Sequence, residues 1–82
     1  MGSKKPAVTI IDNAPRSHST MSYELDFGDT LDTVLVNAHK YYPGSVSKIT
    51  KHTVVTIGDI IPHDRAGYPL QDGDVIRITH HG

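Results

Sequence analysis

Apolar positions along the chain change period twice, from alternation to a helical stripe and back to alternation. Val8, Ile10 and Asp12 alternate with Thr9, Ile11 and Asn13, a β-branched run that predicts a short, largely buried strand. The stretch 13–20 (NAPRSHST) is rich in Asn, Pro and Ser and reads as a turn. Met21, Tyr23, Leu25 and Phe27 then alternate with Ser22, Glu24 and Asp26, giving the second arm of a hairpin. Gly28-Asp29-Thr30 breaks that strand, and Asp29 or Thr30 offers a side-chain oxygen to the free N–H groups of a following helix. Leu31, Val34, Leu35, Ala38 and one of Tyr41 and Tyr42 form its apolar stripe, with Asp32, Thr33, Asn37 and Lys40 on the wet side. Pro43-Gly44 ends it.

Short β-branched segments follow at 46–51, 53–57 and 75–79. They are separated by a turn at Gly58-Asp59, a loop over 63–68 and a tight turn at Asp72-Gly73-Asp74. In that last turn Gly73 is expected to take a positive φ, while Asp72 and Asp74 accept loop N–H groups and launch the final strand, a structural role. The predicted order is ββαβββ. Neither a single helix nor a sheet face can bury its apolar side alone, so the helix should lie across one face of a mixed sheet of four to five strands. The first and last strands, the most uniformly β-branched, should be central and parallel. That is an α+β chain with the β-grasp arrangement, residues 1–6 forming a flexible lead-in and 7–82 one domain with a short C-terminal tail.

At 82 residues there is room for one core. The sequence has no cysteine, which removes disulfides and thiolate chemistry together and fits a reducing compartment. Eight basic residues stand against nine acidic ones without a block of like charge, which argues against a nucleic-acid partner. No apolar run approaches the ~20 residues of a membrane span, and the opening MGSKKPAV lacks the apolar stretch of a secretory signal. The expectation is a cytoplasmic protein without a membrane partner.

The stretch VVTIGDIIPHDRAGYPLQDGDVIRITHHG carries a more specific pattern. Ile57-Gly58-Asp59-Ile60-Ile61-Pro62, then Pro69-Leu70-Gln71-Asp72-Gly73-Asp74, then Val75-Ile76-Arg77-Ile78 and a terminal glycine follow one another in order. This resembles the C-terminal part of the ubiquitin-like sulfur carrier proteins of thiamin and molybdopterin synthesis. The match is strongest over 53–82, and the tail here reads His80-His81-Gly82 where the family has Gly-Gly. The resemblance implies a protein carrier or modifier that is not itself an enzyme and holds no cofactor. Its reactive group would be the carboxylate of Gly82, adenylated by an E1-like activating enzyme and then converted to a thiocarboxylate or joined to an amine. A residue without a Cβ suits that chemistry, because the backbone can approach the α-phosphate of ATP closely.

The other candidates are weaker. Six histidines invite a metal, but His80 and His81 are adjacent and on a strand would point to opposite faces, so no metal site is expected and both are read as exposed. Ser17-His18-Ser19 has no third orienting group for nucleophilic catalysis. The alternative function is a β-grasp adaptor or accessory subunit that is never conjugated and binds a protein partner through outward side chains, among them Tyr23, Lys48, Lys51, Val75 and Arg77.

Overall fold

The β-branched run at the start forms β1 (Ala7–Ala14), whose alternate side chains Val8, Ile10 and Asp12 are buried. In the computed structural model, which describes residues 5–14 and 17–81, β1 pairs antiparallel with β2 (Ser17–Glu24). The chain then passes through α1 (Leu31–Tyr41), β3 (Thr53–Ile57) and β4 (Val75–His80). Sheet order is β2-β1-β4-β3, with β4 parallel to β1 and antiparallel to β3. The protein is thus an α+β chain built on a four-stranded mixed sheet, and the expected parallel pairing of first and last strands is present.

The helix begins where its sequence supplies a cap. Thr30 Oγ1 accepts from the Thr33 N–H while Thr33 Oγ1 accepts from the Thr30 N–H, so the two threonines satisfy each other's backbone. Two further N–H groups of the first turn, on Leu31 and Asp32, donate to the carbonyls of Tyr68 and Arg65 at 3.0 Å each. The loop before β4 therefore completes the start of the helix. Leu31, Val34, Leu35 and Ala38 bury in one core with Val8, Ile10, Leu25, Val46, Val55, Ile57, Ile76 and Ile78.

Four expectations are corrected. Residues 46–51 are not a strand, so the order is ββαββ. Their backbone donors are spent elsewhere: Val46 N–H on the Tyr42 carbonyl, Ser47 N–H on Asp12 Oδ2, and Thr50 N–H on Thr53 Oγ1. The expected turn over 13–20 is much shorter, because β1 and β2 stay paired until Ala14 faces Ser17; Pro15 and Arg16 between them lie outside the described residues. The second strand also ends earlier, at Glu24 opposite Ala7, where β1 runs out; Leu25 is still buried, but Phe27 is fully exposed. Tyr41 and Tyr42 are both exposed, 63% and 50%, whereas one was expected inside. Val46 is fully buried after the chain turns back at Tyr42, and its carbonyl oxygen lies 2.8 Å from Nδ1 of His39 in the helix's last turn.

No helix among the described residues is long and apolar enough to cross a membrane. Leu35→Ala should destabilise the fold by about 2–5 kcal/mol, since it empties a fully buried site, whereas Thr30→Ala should cost only about 1 kcal/mol through the lost cap. Urea unfolding followed by circular dichroism measures both.

Candidate functional site at the end of the last strand

In β4 the buried residues Ile76 and Ile78 alternate with the exposed Arg77. By the same period of two, His80 stands on the helix-facing side. On the neighbouring parallel strand Asp12 lies opposite Ile78, so His80 is its diagonal neighbour. The two side chains meet: His80 Nε2 is 2.6 Å from Asp12 Oδ1. The other carboxylate oxygen, Asp12 Oδ2, accepts the Ser47 N–H at 2.7 Å. Asp12 is 2% exposed and is the buried charged residue among those described.

A buried carboxylate is costly unless its oxygens are occupied, and here both are. Burial by itself pushes the Asp12 carboxyl up, but hydrogen bonds from Ser47 and His80, with the charge of His80 beside it, outweigh that and hold it below its ordinary value. An ionised carboxylate only accepts, so the proton of the contact sits on His80 Nε2. The expectation that His80 is merely exposed is therefore corrected: it is half-buried and ties β4 to β1 and, through Asp12, to the segment carrying Ser47.

Pairing continues one residue past the strand. His80 faces Thr53 on β3, and the His81 N–H donates to the His52 carbonyl at 2.7 Å. His81 itself is exposed, and Gly82 lies outside the described residues. No three His, Asp or Glu side chains among the described residues converge as metal ligands.

The opposite end of β4 is pinned by its acidic turn. Asp72 Oδ1 accepts the Ala7 N–H at 2.9 Å, Asp74 Oδ2 accepts the Gln71 N–H at 2.9 Å, and the Gly73 N–H donates to the Ala7 carbonyl at 2.9 Å. Gly73 has φ 90°, a conformation glycine adopts without strain. Asp72 thus holds the backbone that starts β1, and Asp74 closes the turn that leads into β4.

The outward residues separate into three places. Val75 and Arg77 lie on the sheet face turned away from the helix, beside Thr9 and Ile11 of β1, and Arg77 has no ion pair among the described residues. Tyr23 does not: it pairs with the inward Val8 and packs against the core, because the hairpin register puts it on the helix side. Lys48 is not on the sheet either. It lines a groove of about 280 Å³ beside the helix with Leu35, Val36, Ile49 and Arg65, because residues 46–51 run alongside α1 instead of joining a strand. Lys51 is exposed in the turn before β3. His18 faces Asn13, with Nδ1 and Oδ1 3.2 Å apart, and has no carboxylate partner among the described residues.

Asp12 and Ser47 were not singled out as site residues from the sequence. A signal for Asp12 existed, an acid at an inward position of an otherwise apolar strand; nothing marked Ser47, which acts through its backbone. The chain matches no protein-family model and no curated protein sequence.

Because the folded Asp12 carboxyl titrates lower than an unfolded one, its contribution to stability is present above about pH 4 and fades as pH falls through the lower folded value. Asp12→Asn should therefore destabilise by about 1–3 kcal/mol near pH 7, with the gap to wild type narrowing toward pH 2. Urea midpoints measured across that range report it; a gap that stays constant would exclude an ionised Asp12 as the cause.

Proposed function

We propose that the chain is a ubiquitin-like β-grasp domain that works as a protein carrier or modifier, with the carboxylate of Gly82 as its reactive group. The observation that supports this reading is the sheet order with β4 parallel to β1, a mixed-sheet arrangement consistent with a β-grasp layout in which β4 is a central strand. The run from Pro69 to Ile78 that resembles the sulfur carriers coincides with the pinned turn and β4. His81, next to the reactive residue, is exposed.

The chemistry belongs to a partner. An E1-like enzyme binds ATP, the Gly82 carboxylate oxygen attacks the α-phosphorus, and pyrophosphate leaves. A sulfur nucleophile or an amine then attacks the acyl carbon of the adenylate, AMP departs with the former carboxylate oxygen, and a thiocarboxylate or an amide results. The chain's own contribution is a rigid body that an enzyme can grip and an end without a side chain. It needs no cofactor and performs no catalysis.

One observation favours the second reading, an adaptor that is never conjugated: backbone pairing runs through His81, so this part of the chain is held against the sheet. In that reading Val75 and Arg77 on the open face contact a protein partner, and the terminus has no chemical role.

Incubation with the activating enzyme of the same host, ATP and a sulfur source should convert the protein to a species heavier by the difference between sulfur and oxygen, or to a conjugate, as read by intact mass. Removal of Gly82 should abolish the product. Absence of any product, together with partner binding that survives Gly82 removal and is weakened by Arg77→Glu, would establish the adaptor.

A further inference from the structure

We infer that the Asp12–His80 contact is a latch that decides whether the last residues of β4 belong to the sheet or to the tail. The geometry is built for one place. Ile76 and Ile78 are fully buried and hold the middle of β4 in the core, whereas the His80 side chain, 19% exposed, reaches Asp12 through a polar contact at 2.6 Å. Asp12 is in turn anchored from the other side by the Ser47 N–H, so the acceptor is rigid and the histidine is the movable partner. Groups facing Asp12 from the packed elements are these two and Ser19, its neutral cross-strand neighbour on β2; across from His80 on β3 stands the neutral Thr53. No other charge competes for the carboxylate among the described residues.

The consequence is one of reach. With the latch closed, pairing extends through the His81 N–H. With the latch open, His80 and His81 leave the sheet and lengthen the unpaired segment beyond it by about 7 Å. An enzyme that must bring an acyl group to ATP in an enclosed site can use the second state and not the first. This use of the latch rests on the carrier reading; the latch itself does not.

Amide hydrogen exchange measured by NMR on the full chain tests it, with the His81 amide as the reporter and the Ile76 and Ile78 amides as the internal standard for global stability. His80→Phe keeps bulk and strand propensity but cannot donate, and should speed exchange at His81 at least about tenfold, the range expected for losing a hydrogen bond to a charged acceptor, with Ile76 and Ile78 unchanged. His80→Gln carries an N–H that reaches the place of the imidazole Nε2–H, and should stay within about twofold of wild type. Equal protection in wild type and His80→Phe, or loss of protection in His80→Gln as large as in His80→Phe, would overturn the latch in favour of simple packing.

With the activating enzyme and ATP, pyrophosphate release should be faster for His80→Phe than for wild type. If exchange responds as expected while neither wild type nor variant releases pyrophosphate, the latch holds and the carrier reading fails.

Discussion

The centre of the sheet is a parallel pair between the two ends of the chain, Thr9 beside Val75 through Asn13 beside Thr79. Parallel neighbours cannot be joined by a tight turn, so everything between β1 and β4 must be accommodated as a crossover that returns to the same sheet. That constraint puts α1 over one face and leaves the other open. It also makes the fold non-local: the core closes only when the last strand has docked beside the first. The acidic turn at Asp72-Gly73-Asp74 answers this by stitching the start of β4 to Ala7, so that the two strands begin in register.

A central pair buried on the helix side should be apolar throughout, and in its first part it is: Val8, Ile10, Ile76 and Ile78. Asp12 and His80 break the pattern at the far end. Taking a carboxylate out of water is offset here by two hydrogen bonds, one from a backbone amide and one from an imidazole. An apolar residue of similar size would serve the core as well or better, so on the proposed latch the distinctive contribution of the polar pair is to set where the sheet ends. Its position favours that view, since it joins the last paired residue of β4 to the first segment after the helix.

The same arrangement bears on the proposed carrier. A carrier terminus has two opposing requirements, a body rigid enough to be recognised and an end loose enough to enter another protein. β4 meets both only if its tail can detach without disturbing Ile76 and Ile78, and a polar contact at the boundary provides such a break point. On the open face, Arg77 and Val75 remain available to a partner in either reading, independent of the latch.

How much was legible in the sequence follows from which interactions are local. The helix and its start at Asp29 or Thr30, the breaks at Gly28 and Gly58, the turn at Gly73 and the alternation in β1 and β4 all depend on residues a few positions apart, and their patterns are plain in the chain. The parallel pairing of the ends also followed, because those two segments are the most uniformly β-branched. What misled was propensity without partners. Residues 46–51 look like a strand, yet their donors are captured by Tyr42, Asp12 and Thr53. Tyr23 was expected to face outward although it shares the period of Met21 and Leu25, and the register with β1 puts it inward with them. For the candidate site, the terminal residues could be named from the motif alone, but the Asp12–His80–Ser47 contact could not, since its members are separated by most of the chain and Ser47 donates its backbone amide. Local patterning determined the elements and their ends; the sheet register, a property of pairs of strands and not of either strand, decided which side chains meet at the end of β4.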